Sequence, residues 1–344
     1  MVFVEKWTAR GRGCGLGATH FDKRAGSKRM DITVILCTFN RCQSLPTALN
    51  SVGASVLPAN VDWEVLVVDN NSRDNTRGVV EDFARRFPGR FRYAFEAQQG
   101  KSFALNNGIR DARGTVVAFL DDDVTVEPDW LHNLTGNLFG KEWAGSGGKI
   151  ILQWPANVPD WLSTEGPNAR HGFPGFDHGP VAKELEGPPF GCNMAFRKEM
   201  FEKYGDFRID LGPTPVSQIR AEDTEFGRRV IAAGEHLRYE PGAIVYHPVP
   251  ENRLNQKYFL DWCYDNGRAL VLEFPVRPVH LLCSFVAWTM RWMVATDRRE
   301  RFFRKLIVRQ KLGEMTEYSR RIFSGKGSQP PAYQQPKRES TVRM

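Results

Sequence analysis

The chain has 344 residues, of which 41% are hydrophobic, 12% aromatic and 25% charged. That is enough for a sizeable core in one large domain or two modest ones, and too apolar for wholesale disorder. The six cysteines form no CxxC pair, which disfavours a disulfide-stapled secreted module and a structural zinc site. The net charge of +7 divides into +5 on residues 1–30, +9 on 291–344 and −7 between them. A basic stripe on the body, the footprint of a nucleic-acid-binding domain, is therefore not expected.

Residues 1–30 are rich in Gly and Arg, lack the continuous apolar stretch of a secretory signal, and read as a disordered basic tail. Met30, directly before the first strand-like run, is a second candidate start of translation. Such basic ends are either solvated or touch an anionic surface. The expected location is a reducing cytoplasm, with a peripheral position at the inner face of the plasma membrane as the variant of that reading.

Through the first 120 residues, β-rich runs alternate with helical spacing. Ile32–Cys37, Val65–Val68, Phe91–Phe95 and Val116–Leu120 read as strands, and 44–56, 74–87 and 101–112 as helices. Strand–helix alternation predicts an α/β fold: a Rossmann-like, mostly parallel central sheet flanked by helices. Sheets of this kind bind ligands beyond the carboxyl ends of their strands. From 154 to 191, thirteen of 38 residues are Pro or Gly, interspersed with aromatics, so this stretch reads as a functional loop or a linker. A strand-like 190–196, a helix at 222–233 stopped by Gly234, and a strand at 243–247 ending in His247 follow. Helical patterns then occupy 255–274, 280–294 and 299–322. The boundaries that result are a tail at 1–30, a domain at 31–250, a C-terminal helical extension at 251–325 and a Pro/Gln-rich tail at 326–344. Within the domain, a division falls after residue 123, at the end of the acidic triplet.

The strongest chemical feature is the buried run Val116–Leu120 entering Asp121-Asp122-Asp123. Three adjacent carboxylates at a strand exit repel one another and lose hydration, a cost that a bound cation offsets. Hard oxygen ligands there suit Mg²⁺ or Mn²⁺ holding a phosphate-bearing ligand, and the plainer reading is a solvated turn. The strand Trp63–Val68 ends in Asp69-Asn70-Asn71-Ser72, which can read a nucleoside by hydrogen bonding or cap the helix that follows. Gly100-Lys101-Ser102 is not a Walker A loop, because Phe95 stands where the first glycine belongs.

On a helix beginning near 222, Asp223, Phe226 and Val230 share one face, so Asp223 points inward with the apolar members. There it can take a proton from an acceptor hydroxyl or serve the helix dipole; Glu222 suits the dipole role better.

These segments occur in a recognisable order. Ile35-Leu36-Cys37-Thr38-Phe39-Asn40-Arg41 and Val67-Val68-Asp69-Asn70-Asn71-Ser72 resemble the opening of family 2 glycosyltransferases, the inverting GT-A type. Gly100 to Ile109 is similar to their donor-side helix and Phe119 to Asp123 to their DxD segment. Gly191 to Phe196 and Ala221-Glu222-Asp223 are similar to the acceptor-side strand and the ED base motif. The resemblance covers about 32–248 and implies that 31–123 is the nucleotide-sugar half of the domain and 124–250 the acceptor half. It implies a GT-A fold and a non-processive, metal-dependent, inverting transferase that moves one sugar from a nucleotide-diphosphate sugar to a hydroxyl acceptor, a lipid-linked or cell-surface glycan precursor. It implies Thr38, Asn40 and Asp69 at the nucleoside, Arg41 near the phosphates, Lys101 and Asn106 on the donor side, and Asp121 and Asp122 at the donor. By the same resemblance Asp123 and His247 ligate Mg²⁺ or Mn²⁺, Asp223 is the general base, and Glu222 and Asn193 face the acceptor. The alternatives are a nucleotidyltransferase and a sugar-nucleotide-binding protein without turnover.

Processive relatives carry QxxRW and several membrane spans, whereas here Trp288 stands where the glutamine belongs. Leu105 replaces the arginine many relatives have on the donor-side helix. Trp154 and Trp161 can form a wall for an acceptor sugar or be packed in a loop; His171 and His178 read as surface groups. Residues 279–312 pair an apolar helix with a basic one. They suit a peripheral contact with anionic lipid, or a hairpin packed on the domain or on a second subunit in a homodimer.

Overall fold

In the computed structural model, which describes residues 30–166, 169 and 172–324, the predicted alternation forms. Strands β1 (Ile32–Thr38), β2 (Trp63–Asp69), β3 (Phe91–Phe95) and β4 (Val116–Asp121) alternate with helices α1 (Leu45–Gly53), α2 (Thr76–Arg86) and α3 (Lys101–Asp111). The chain continues through β5 (Thr125–Val126), α4 (Trp130–Thr135), β6 (Gly145–Gln153), β7 (Lys183–Glu184) and β8 (Met194–Arg197). Next come α5 (Glu199–Tyr204), α6 (Glu222–Ala232), β9 (Leu237–Pro248), α7 (Gln256–Glu273), α8 (Pro278–Met293) and α9 (Arg298–Phe323). The N-terminal tail to residue 29, the C-terminal tail and His171 lie outside the described residues.

All nine strands belong to one sheet of order β3-β2-β1-β4-β8-β6-β9-β5, with β7 also paired to β9. The first four strands pair with one another in parallel. Beyond β4, strand β8 runs antiparallel to both β4 and β6, and β5 and β7 run antiparallel to β9. Strand β6 pairs parallel with β9. Among the described residues six strands thus share one direction and three oppose it, a mostly parallel sheet with an antiparallel insertion.

The strands are apolar on both faces because both faces are covered. Ile32, Val34 and Leu36 of β1, with Val65 and Val67 of β2, point into a core closed by Leu49, Val52, Val80, Phe83 and Trp130. The alternate residues Ile35, Leu66, Val68, Val117 and Phe119 enter a second core with Ala104, Ile109, Phe201, Phe226 and Val230. Side chains alternate faces along a strand, so a run with no polar interruption requires burial on both sides. Each fully buried aliphatic or aromatic side chain contributes about 1.5–3 kcal/mol.

The Pro/Gly-rich stretch resolves as packing. Trp161 sits edge-on to Phe302 at 4.6 Å and Phe259 at 5.6 Å, and Trp154 edge-on to Phe173 at 5.9 Å. These rings form a third core with Val249, just after β9, Cys263 of α7 and Leu306 of α9. The helical extension is held in turn by a close crossing of α7 and α9. A Cβ at Gly267 would lie 2.0 Å from the Gln310 carbonyl oxygen, and one at Gly313 2.0 Å from that of Tyr264. No side chain fits between these two backbones.

Gly313→Val should therefore lower the unfolding free energy by about 1–3 kcal/mol in urea titration. Gly140→Ala, where a Cβ meets nothing within 4 Å, should leave the midpoint unmoved.

Candidate active site

The register sets the ends of three strands side by side: Thr38 of β1 pairs with Asp69 of β2, and Cys37 with Asp121 of β4. The loops leaving β1 and β2 then lock each other. Asn40 (φ 52°) and Asn71 (φ 66°) both adopt the left-handed conformation, which Asn tolerates better than most residues. The Asn40 amide donates to Ser72 Oγ (2.8 Å), and the Asn40 side-chain oxygen accepts from the Arg73 amide (2.8 Å). Asp69 is buried: Oδ1 accepts from the Ser72 amide (2.9 Å) and Oδ2 from the Tyr93 hydroxyl (2.9 Å). Of the acids and amides after β2, it is Asp74 that bonds the start of α2, accepting from the Thr76 amide.

The acidic triplet opens into a cleft of about 670 Å³ that also exposes Arg41, Lys101, Glu222, Asp223 and His247. One ligand atom each of Asp121, Asp123 and His247 lies within 4.8 Å of the others. His247 Nδ1 is 3.0 Å from the Pro248 carbonyl oxygen. A carbonyl can only accept, so Nδ1 carries the proton and Nε2 keeps the lone pair that a metal requires. Two carboxylates and an imidazole fit Mn²⁺ or Mg²⁺, and the nitrogen favours Mn²⁺. Asp121, expected at the ribose or sugar of the donor, thus falls in one cluster with Asp123 and His247. Arg41 reaches to 3.7 Å from Asp123. The third member, Asp122, accepts from the Thr38 hydroxyl (2.7 Å), and burial, with the neighbouring Asp123 charge, pushes its pKa up to about 6.

Beside the triplet, Lys101 Nζ lies 2.8 Å from Asp121 Oδ1 and 3.9 Å from Glu222 Oε1. Burial works against the ammonium, but Asp121, Glu222 and Asp223 outweigh it and hold its pKa well above the ordinary value. Glu222 is buried, with no hydrogen-bond partner for Oε2 among the described residues. Burial, then the Asp223 charge, raises its pKa to about 7. The helix-start role falls to Asp223 instead: Oδ1 accepts from the Thr224 amide and Oδ2 from the Gly191 amide, both at 2.6 Å. Asp223 thus takes the helix-start bond expected of Glu222 while also lining the cleft.

Residues 33–205 match the model of Glycosyl transferase family 2, half of the chain. The chain belongs to glycosyltransferase family 2. It is 27% identical over 243 residues to the succinoglycan biosynthesis protein ExoM of Rhizobium meliloti, covering 70% of this chain and 74% of ExoM. It is 26% identical over 240 residues to the glucosyl-dolichyl phosphate glucuronosyltransferase of Haloferax volcanii, covering 68% and 72% of the two chains. Its fold is similar to that of mannosyltransferase PcManGT from Pyrobaculum calidifontis, solved in complex with GDP-Man and Mn²⁺. That likeness has a TM-score of 0.52 at 20% identity and covers 87% of this chain and 77% of that one. The GT-A expectation from sequence agrees with this architecture.

Six expected site residues of this family 2 glycosyltransferase do not line the cleft: Thr38, Asn40 and Asp69 stand beside it in the interlocked loops, and Asn106, Asn193 and Trp154 lie away from it. Asn106 is buried, with its amide spent on both backbone groups of Phe207 (2.9 and 3.0 Å). Asn193 is fully buried: it accepts from the Trp130 indole (2.8 Å) and donates to the Lys149 and Ala243 carbonyls. Both amides are engaged by groups of the protein itself, outside the cleft lining. Trp154 is held in the third core by Phe173, and the aromatic lining of the cleft comes instead from Phe173, Phe190, Tyr258 and Trp262. Tyr258 and Trp262 sit one helical turn apart on α7, and that spacing was the available signal for them. Cys37 and Cys192 also line the cleft, where burial pushes both thiols up and keeps them protonated.

A carboxyl whose pKa is raised on folding favours the folded state below its unfolded value, and that advantage is lost as pH climbs toward the folded value. For Glu222 the window runs from the ordinary 4.5 to about 7. Metal-free Glu222→Gln should therefore melt higher than wild type above pH 7, with the gap closing by pH 4.5, in a melting series across pH.

Proposed function

We propose that this family 2 glycosyltransferase, which acts on nucleotide sugars, moves one sugar, by metal-dependent single displacement with inversion, to a hydroxyl of a glycan acceptor. The observation that carries the reading is the Asp121–Asp123–His247 cluster at the carboxyl end of β4, in one cleft with Asp223. Those three residues would hold Mg²⁺ or Mn²⁺, which supplies a Lewis acid for the charge developing on the leaving diphosphate. The Mn²⁺ and GDP-Man bound by PcManGT agree with this assignment.

Arg41 and Lys101 bring two fixed positive charges to the same wall, where an anionic diphosphate needs them. Thr38, Asn40 and Asp69, in the interlocked loops at the ends of β1 and β2, shape the edge assigned to the nucleoside. Asp122, drawn to Thr38, orients that edge and is left out of the metal set. Lys101 neutralises Asp121 and steadies the buried Glu222 on the acceptor side.

In the transfer, the acceptor oxygen attacks the anomeric carbon as the bond to the diphosphate oxygen breaks on the opposite face. Asp223 takes the hydroxyl proton, and the gripping amides of Gly191 and Thr224 aim its carboxylate for that task. No enzymatic nucleophile is required, and the protonated thiols of Cys37 and Cys192 are unsuited to be one. Tyr258, Trp262 and Phe190 offer apolar faces on which an acceptor sugar can stack, the part first given to Trp154. The names of the relatives from Rhizobium meliloti and Haloferax volcanii support a glycan-precursor acceptor, including a lipid-linked one.

Titration calorimetry with nucleoside diphosphates and Mn²⁺ tests the assignment. Asp123→Ala should lose the manganese-dependent uptake. Asp223→Asn should keep it while turnover falls about 10²- to 10⁴-fold. No manganese-dependent uptake by wild type, or unchanged turnover in Asp223→Asn, would remove the corresponding role.

A further inference from the structure

Helix α8 is apolar around most of its circumference, yet only one side of it is packed. Leu281 is buried, and Phe285, Trp288 and Trp292 continue its line at helical spacing, half-buried, while α9 packs alongside. On the opposite side Val279, Leu282, Val286, Met290, Met293 and Val294 form one stripe at spacings of three and four. It is open to solvent: Leu282 is 54% exposed, Met290 58%, Met293 62% and Val294 73%. A helix apolar all round is normally buried on every side, and a contiguous exposed patch of this kind marks a contact surface.

Charge identifies what covers it. From Phe274 to Thr296 the chain contains no Asp or Glu and two arginines. Arg277 and Arg291, at the two ends of α8, and Arg301 at the start of α9 are exposed, and none has an acidic partner among the described residues. Arg291 instead lies over the Trp288 ring at 4.9 Å. A symmetric contact between two copies would set this acid-free, positively charged patch against itself, whereas an anionic lipid surface complements it. The 16 residues of α8 extend about 24 Å, short of the ~30 Å hydrocarbon thickness, and no helix among the described residues is long and apolar enough to cross a membrane.

We infer that α8 lies flat in the headgroup layer of an anionic membrane, with the Val279–Val294 stripe buried among the acyl chains and the flanking arginines at the phosphates. A helix with one open apolar face and cationic ends lies in the interface plane in this way. Phe274, which lines the cleft, is four residues ahead of Pro278, so docking sets the rim of the cleft beside the lipid surface. The docking itself stands apart from the transfer chemistry.

Co-sedimentation of the full chain, without nucleotide, is the test. The vesicles are phosphatidylcholine alone and an equimolar mixture with phosphatidylglycerol. Wild type should partition to the mixed vesicles and less so at high salt. Leu282→Glu combined with Val286→Glu and Met290→Glu should reduce that partition by about tenfold or more, since charge is costly in the acyl region. The three sites are solvent-exposed, so melting should be unchanged. Arg277→Ser with Arg291→Ser, an independent variant, should weaken binding to the mixed vesicles severalfold. Three outcomes would overturn the inference: wild type indifferent to anionic lipid; the triple variant sedimenting like wild type, which assigns binding to the basic tails; or light scattering showing a wild-type dimer that the triple variant dissociates.

Discussion

The site depends on a mutual alignment of strand ends. Strands β1, β2 and β4 run in parallel and stop at one level, so the residues leaving them must share a small volume. Three of those residues are consecutive aspartates, and an acidic exit this crowded is stable only where positive charge meets it. Lys101 supplies one such charge from the first turn of α3, and Arg41 another from the loop after β1. The remaining negative charge, with His247 arriving from β9, is what makes the end of β4 a place for a divalent cation.

The same electrostatic demand organises the acceptor side. Glu222 and Asp223 are adjacent on the first turn of α6, yet their surroundings differ. Asp223 is held by two backbone amides, while Glu222 is enclosed beside Lys101 with an oxygen unsatisfied. Burial drives the Glu222 carboxyl toward its neutral form, and this limits the charge packed around Lys101. One pair of acids is thereby separated into an anchored carboxylate facing the cleft and a proton-holding neighbour behind it.

The helices after β9 complete the cleft rather than simply following it. Tyr258 and Trp262 of α7, and Phe274 directly after it, reach its wall; α7 is fixed by its backbone contact with α9 and by the aromatic core built from the Pro/Gly-rich stretch. A rigid α7–α9 pair leaves α8 as the outer element, and its unpacked apolar side is the consequence of that arrangement.

Much of this was legible in the sequence because it is local. Continuous apolar runs reported strands buried on both faces, helical spacing reported α1 to α3, and the run from Phe119 to Asp123 reported a strand delivering carboxylates to its end. Strand β6 was not legible, because Gly145, Gly147 and Gly148 break the apolar run that marks a strand. They are required instead because neighbouring chains leave no space for a side chain; a Cβ at Gly148 would lie 2.2 Å from the Ala243 carbonyl oxygen. Asn106, Asn193 and Trp154 carry ligand-binding chemistry by residue type, yet each is satisfied by a partner far away in the chain. Sequence alone determined the order of elements and the acidic cluster, because spacing and charge are properties of neighbours along the chain. Only the tertiary structure decided which polar groups remain available to a ligand, because a hydrogen bond spent on a distant residue is invisible until the chain has folded.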